Sequence, residues 1–414
     1  MATTLTDKPF RVAVCGCNDL IFNKELGENS LYYDLAKRAK DKELDLIVHN
    51  GDQVYVDHKE KKDKNGKSDH TNIYNDCLDI IKEKPKEDWG LYEEEIVSKM
   101  KNLYRKTWSG KTAELMANCS NLMQYDDHEI HNNFGYETKY SDSNNPNSFI
   151  VKCSRRCYYE YQRQLREDVD FITFNDVTED YFSLELNGVG LYFLDHRGPR
   201  SWYKTNDDEY KHLGSKQIND LRNCLETTFK SCPIVLIFSS NPLVIHNEEV
   251  SKKEDEIEEF LFNDSEGYGK FLKMLAEHKL NAKQELYLFG GDLHIGGHTE
   301  VYKDGKAIFK QLVTSGVGQR TKDSMIKYFE GVLGQTNTNL PGGFSFKHHD
   351  WTYNRNYATL EVKLSNNVPI FSSYLTISDK DMPKEKKNVI TNEHYSLDDK
   401  YDINEYKITR GNLK

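Results

Sequence analysis

The sequence predicts an α/β fold of two packed β-sheets with helices on their outer faces, and two patterns in the chain predict it. Through the first half, short apolar runs alternate with helical periods; after about residue 285 the helices run out and β-type runs follow at 298–303, 307–314, 356–363 and 369–376. Strand and helix in alternation build parallel sheet covered by helices, and strands in succession build antiparallel sheet, so both belong to one layered architecture. A third pattern places the site. Six predicted strands end in thiol, carboxylate, amide, imidazole or guanidinium groups, and in open α/β sheets ligands bind beyond the carboxyl ends of the strands.

The first strand, 11–15, runs through Val12, Ala13 and Val14 into Cys15-Gly16-Cys17-Asn18-Asp19. A helix over 30–40 follows, with Leu31, Leu35, Ala36 and Ala39 on one face behind a Ser30 cap. Strand 44–49 then closes on Asn50-Gly51-Asp52-Gln53-Val54-Tyr55, where the glycine marks a tight turn with close backbone approach. A strand, helix, strand unit makes the two strands parallel and their tips neighbours, which brings Cys17 and Asp52 to one edge. Residues 57–70 read as a solvated charged loop. Helical periods at 72–84 and 91–106 lead to strand 121–125 and the cluster Asp126-Asp127-His128-Glu129.

Residues 132–148 read as a long loop beside that tip, a usual place for binding function, before a helix at 149–165. The segment 170–195 breaks into short β segments with a hairpin at Asn187-Gly188 and ends in Asp195-His196-Arg197. Ser215 caps the next helix, strand 233–238 runs into Ser239-Ser240-Asn241-Pro242, and an acidic helical region at 252–278 is interrupted near Gly267. Strand 285–290 delivers Gly291-Asp292-Leu293-His294. The stretch 317–350 reads as loop and carries His348-His349-Asp350, a further polar cluster placed to touch substrate or metal, whereas His298 reads as an ordinary sheet residue. From Asp379 the chain is charged and weakly apolar, so the expected division is a domain over 8–378 and a surface tail over 379–414.

Composition narrows the function classes. A chain of 414 residues that is 37% hydrophobic and 12% aromatic has a sizeable core, and it shows no internal repeat and no linker. A net charge of −11 argues against a long nucleic acid or an anionic membrane as partner, because such affinity comes from Lys and Arg neutralising phosphates. The opening residues have no apolar signal-like stretch and no window has about 18 apolar residues, so the expectation is a soluble cytoplasmic protein with reduced cysteines. Of the eight cysteines, Cys15 and Cys17 stand apart because they lie at a strand tip, where alternation puts them on a shared face.

Asp, His, Asn and Cys converging on one sheet edge make a polynuclear metal site. The ordered set Gly16-Cys17-Asn18-Asp19, Gly51-Asp52-Gln53-Val54-Tyr55, Asp126-Asp127-His128-Glu129 with Asn132-Asn133, Leu194-Asp195-His196-Arg197 and Gly291-Asp292-Leu293-His294 resembles the PhoD-like alkaline phosphatases of the calcineurin-like metallophosphoesterase superfamily, from about residue 10 to 363. The resemblance implies a four-layer αββα sandwich and a metal centre held by Cys17, Asp52, Tyr55, Asp127, Asp292 and His294, with Asp52 bridging. Thiolate, phenolate and carboxylate together favour Fe3+, and a neighbouring site suits Ca2+ or another divalent ion such as Mn2+, Mg2+ or Zn2+.

Further roles follow from the same match. His128 would protonate the leaving group from outside the metal shell, or make a structural hydrogen bond. Arg197 would face substrate phosphate with its planar fork, or form a salt bridge and leave that role to Arg200. Asn133 would contact substrate. The superfamily's usual His after strand 233–238 is missing, and Asn241 either coordinates through its amide oxygen or closes the turn before Pro242. The implied function is metal-dependent phosphoester hydrolysis, by a phosphatase or phosphodiesterase acting on a small molecule or lipid head group; a catalytically weak, metal-stabilised phosphate-binding or scaffold protein of the same fold is the alternative.

Overall fold

The computed structural model describes residues 8–19, 30–58, 72–135, 138–165, 180–199, 208–247, 264–282, 284–365, 368–378, 394–398 and 403–408. Strands β1 (Phe10–Cys15), β2 (Leu46–Asn50), β3 (Ser120–Gln124), β12 (Asn356–Ser365), β13 (Val368–Ser378), β14 (His394–Asp398) and β15 (Ile403–Lys407) form one sheet in the order β14-β15-β13-β12-β1-β2-β3. Strands β4 (Phe182–Leu186), β5 (Val189–Leu194), β6 (Ile234–Ser239), β7 (Glu285–Gly290), β8 (Gly296–Lys303), β9 (Lys306–Thr314), β10 (Asn339–Leu340) and β11 (Phe344–Thr352) form the second, in the order β10-β11-β8-β9-β7-β6-β5-β4. Both sheets are mixed: β1, β2 and β3 are parallel, as are β5, β6, β7 and β9, and antiparallel strands complete each sheet.

The period-2 pattern of each strand assigns its two faces to different layers. Phe10, Val12 and Val14 of β1 pack between the sheets with Ile234, Leu236 and Phe238 of β6, while the alternate Ala13 packs outward with α1 (Ser30–Lys40) and α4 (Lys111–Asn118). On the other side, Val235 and Ile237 of β6 and Leu286 and Leu288 of β7 pack outward against α6 (Ser215–Glu226) and α7 (Ser265–Ala282). Two sheets therefore lie between helical layers, as expected. Helices α2 (Ile73–Ile81), α3 (Glu93–Thr107) and α5 (Pro146–Tyr161) form a separate apolar cluster with Val54, Tyr125 and Ile130, beside the tips of β2 and β3.

A ladder of aromatic rings fixes the register of the second sheet. Phe182, Phe193, Phe238 and Phe289 lie opposite one another on consecutive strands, with ring centroids 4.2, 4.7 and 4.9 Å apart and nearly parallel planes. Each such pair is worth about 0.5–1.5 kcal/mol beyond its buried area.

Several expectations are corrected. The segment expected as a tail contributes β14 and β15, and pairing of β15 with β13 buries Ile403 in the α1 layer and Ile408 between the sheets. The stretch 317–350 is not one loop: it holds α8 (Asp323–Leu333), β10 and most of β11, because Ile326, Phe329, Val332 and Leu333 make an apolar helical face. Ser215 does not cap its helix; it is the first helical residue, and the Asp208 carboxylate accepts from its backbone N–H at 3.1 Å. Gly267 itself sits in the first turn of α7, which begins at Ser265, and Asp264 accepts from its N–H at 3.1 Å. Residues 252–263 of the acidic region, and most of the charged loop 57–70, lie outside the described residues.

Phe238→Ala removes the centre of the aromatic ladder from a fully buried position. The expected result is a loss of about 3–5 kcal/mol of unfolding free energy, read from urea denaturation at neutral pH.

Candidate active site

The tips of the two sheets meet because polar groups stitch them together. Asn50 donates its side-chain N–H to Ser239 O at 2.8 Å, joining β2 to β6, and Gln124 donates to Asn50 Oδ1 at 2.5 Å. Gly51, at φ +90°, lies where a Cβ would stand 2.8 Å from Asp126 Cβ and 3.1 Å from Ser240 Cβ, so only glycine permits this approach. The buried Glu129 carboxylate ties two loops, accepting from the N–H groups of Asp52 at 3.2 Å, Gln53 at 2.5 Å and Asp126 at 2.9 Å. Burial pushes Glu129 up to about 7.

Five site residues adopt left-handed backbone: Cys17, Asp52, Asn133, Asp292 and His294, with φ between 55° and 64°. This is sterically costly for side chains other than Gly, and such strain concentrates where the surroundings over-determine it. Here Cys17 N donates to Gly51 O at 3.2 Å, Asn18 N to Asp52 O at 2.8 Å, and Thr321 Oγ1 to His294 O at 2.6 Å. The turn at Cys17 also breaks strand alternation. Cys15 faces His49 in the layer under α1, 3.8 Å from its Nδ1, whereas Cys17 turns to Asp52, so the two thiols do not share a face.

Around Asp52 the donors gather. Cys17 Sγ is 3.4 Å from Asp52 Oδ2, the Tyr55 hydroxyl donates to the same oxygen at 3.2 Å, and it lies 3.3 Å from His294 Nε2. Cys17, Asp52 and His294 form one group whose ligand atoms lie within 4.8 Å of one another; Asp52, Asp126, Asp127 and Asp292 form a second, and Asp52 belongs to both. Asn241 donates to both oxygens of Asp126 at 3.1 Å, and its own Oδ1 is buried without a donor. Asp127 Oδ1 is likewise buried outside any hydrogen bond, 3.3 Å from Arg197 Nη2.

This many anionic groups in one buried place repel their own charge. Burial, then Asp52 and Asp292, raise the Cys17 thiol well above its usual value; burial, then Asp52 and Cys17, do the same to the Tyr55 phenol. Burial raises Asp52, with His128 opposing and Asp127 and Asp126 reinforcing. Asp127 goes the other way, since Arg197 and His128 outweigh its burial. A multivalent cation would reverse these penalties, because thiolate, phenolate, carboxylate and imidazole are its ligands in their deprotonated forms. The donor set and the undonated oxygens of Asp127 and Asn241 fit metal ions.

Beside the cluster opens a cavity of about 310 Å³, lined by His58, Asp127, His128, Asn133, Asp292 and His294 on one side and by the start of α8 on the other. His128 donates from Nδ1 to Asp57 Oδ1 at 2.8 Å, and its backbone N–H donates to Asp52 Oδ1 at 3.3 Å. Burial alone would lower its pKa, but Asp57, Asp127 and Asp52 raise it well above 6.5, which favours the charged ring at the cavity wall.

A family model described as PhoD-like phosphatase matches residues 12–367. The chain belongs to the PhoD-like phosphatase family. The structure reported as "Structure of PhoD" resembles it with a TM-score of 0.62 at 14% identity, over 98% of this chain and 72% of that one. At that identity the likeness establishes the shared fold, two mixed sheets between helices. A second structure, "GAP50 the anchor in the inner membrane complex of Plasmodium", aligns at a TM-score of 0.42 and 13% identity over 93% of this chain and 90% of that one. No curated protein matches the sequence.

In this PhoD-like chain the fold brings together Cys17, Asp52, Tyr55, Asp127, His128, Asp292 and His294, and it sets Asn133 at the cavity, donating its backbone N–H to Asp127 Oδ2 at 2.6 Å. Arg197 is a correction. Its side chain is fully buried, ion-paired through Nε with Asp126 and 3.9 Å from Asp292 through Nη2, so its fork serves the carboxylates and does not reach the cavity as a phosphate clamp. Arg200 lies outside the described residues. His348 and His349 are also elsewhere: they belong to β11, where His348 donates to Ile245 O at 3.0 Å and His349 to Glu300 at 3.0 Å.

Sequence reasoning missed Asp57, Asp126 and Lys322. Asp57, five residues beyond Asp52, was absorbed into a charged run, and Asp126 stood beside the Asp127 that the family match selects. Lys322, the Lys or Arg side chain that lines the cavity among the described residues, carries no local signal. No helix among the described residues is long and apolar enough to cross a membrane.

Burial holds the His348 imidazole down at about 4, below its unfolded value near 6.5. The neutral ring stabilises the fold above pH 6.5, and that contribution is lost as pH falls through about 4, on the order of 3 kcal/mol in full. Urea unfolding at pH 7 and pH 4 should therefore show a smaller acid loss in His348→Gln than in the parent protein.

Proposed function

We propose that the protein is a metal-dependent phosphoester hydrolase whose centre holds Fe3+ with Ca2+ or another divalent cation. The observation that carries this reading is the convergence of Cys17, Asp52, Asp127, Asp292 and His294 at the strand tips, with Asp127, Asp292 and His294 reaching a cavity wall where His128 bonds Asp57 through Nδ1. Cys17, Tyr55, Asp52 and His294 would hold the ferric ion, and Asp52, Asp127, Asp292 and the Asn241 amide oxygen the second. Bound there, such cations polarise phosphoryl oxygens and make water nucleophilic near neutral pH.

The remaining steps belong to the chain's own residues. Asp57 fixes the His128 ring through Nδ1, which leaves Nε2 to deliver a proton to the departing alcohol. Asn132 and Asn133 line the cavity and present side-chain amides to phosphoryl oxygens. Arg197 positions the Asp126 and Asp127 carboxylates and offsets their charge. The cavity, at the small end of ligand pockets, suits a small phosphoester or a lipid head group over a polymer.

Elemental mass spectrometry with a visible spectrum tests the centre. The expected result is iron plus a second metal, a phenolate-to-iron absorption band, and loss of both in Asp52→Asn; equal metal content in the two proteins after metal-replete expression would sink the assignment. For the proton donor, His128→Gln should lower kcat about 10²–10⁴-fold on a monoester and a diester of a poor leaving group with metal content unchanged, and Asp57→Asn should lower it in the same direction by less.

A further inference from the structure

The carboxylate side of the cavity is accounted for by the proposed centre, but the facing wall is not. It is built by Leu293 and by the first turns of α8, from Thr321 and Lys322 through Met325, Tyr328 and Phe329. Three of these side chains are apolar, and Met325 is 40% exposed, so the wall offers apolar surface that an occupant would cover. This wall is rigid. Gly316 and Val317 donate their N–H groups to Gly16 O at 3.2 and 3.0 Å, Gly318 donates to Cys17 O at 3.2 Å, and Thr321 is tied to Tyr353 O and His294 O. The segment entering α8 is thus bolted to the same tips that carry the donors. Tyr328 is fixed as well, its hydroxyl 2.9 Å from Nε2 of His246, which burial holds neutral with a pKa of about 3.

Charge completes the wall. Arg320 is taken up by Asp323 at 2.7 Å, whereas Lys322 lines the cavity, near enough to act on Asp19 and His294. A single ammonium beside an apolar, aromatic surface, opposite an anionic cluster, is an amphipathic cleft for an anion with an apolar substituent.

We propose that the start of α8 selects the substrate: Lys322 pairs with the phosphoryl group, and Met325, Tyr328 and Leu293 pack against an aryl or alkyl alcohol portion of the ester. The inference rests on the phosphoester reading of the site and adds the class of alcohol. Lys322 takes the role of cationic phosphate contact that the buried Arg197 does not fill.

The test is calorimetric binding of phenylphosphonate and methylphosphonate to the metal-loaded protein, alongside KM and kcat for phenyl phosphate and glycerol 2-phosphate. Phenylphosphonate should bind about tenfold or more tightly than methylphosphonate, Met325→Ser should erase most of that ratio, and Lys322→Gln should weaken both ligands about tenfold, appearing in KM more than in kcat. Equal affinity for the two phosphonates, no effect of Met325→Ser on their ratio, or an unchanged affinity in Lys322→Gln would each overturn the inference, even with phosphatase turnover intact. Failure to hydrolyse any ester while phenylphosphonate binding keeps its dependence on Lys322 and Met325 would sink the hydrolase reading and support the selecting wall. No phosphonate binding at all would overturn it.

Discussion

Negative charge held out of water is the constraint to which the rest of this molecule answers. Asp52, Asp126, Asp127 and Asp292 present oxygens within 4.8 Å of one another, and all but the partly exposed Asp292 are buried. Isolated charges in such a place are expensive unless paired. Arg197 behind the carboxylates and His128 beside them lower Asp127 below its usual value, while Asp52 and Cys17 stay raised. A cation bound among these groups would relieve that imbalance.

Holding those groups in place costs backbone freedom. Left-handed conformations at Cys17, Asp52, Asp292 and His294 are tolerated because Gly51 lets the strand tips approach and because Glu129 and Asn50 tie together loops from different strands. The geometry is therefore imposed by the whole tip of the sandwich, with no single loop able to set it. The same stitching reaches the entry to α8 through Gly16 and His294, so the segment leading into the apolar wall is hydrogen-bonded to the strand tips that carry the donors.

Much of this was legible in the residues. Apolar strands ending in Gly51-Asp52, Asp127-His128 and Gly291-Asp292-Leu293-His294 disclosed the sheet edge and the donors, since burial of a strand and polarity at its tip are local signals. The roles of Arg197 and Asp57 were not legible, because whether a guanidinium faces solvent or a carboxylate finds a histidine depends on partners some 70 residues away. The β15 strand escaped notice for a similar reason. Ile403, Tyr406 and Ile408 are sparse among charged residues, and they are buried on opposite faces of β15, Ile403 toward α1 and the other two between the sheets, only once β15 pairs with β13.

The antiparallel pairing of β1 with β12 has a consequence for how the molecule is made. β1 lies inside its sheet, yet one of its two neighbours arrives late, and the Arg11–Glu361 pair spans 350 residues of sequence. At roughly 5–20 residues per second of synthesis, the β1 edge waits on the order of 20–70 s on the ribosome before its partner emerges. The tip of β1 carries Cys17, and its donor cluster includes His294, so the cluster cannot close before that residue has been made. A nascent or truncated chain ending before β12 would therefore present an open strand edge to chaperones and to other copies of itself.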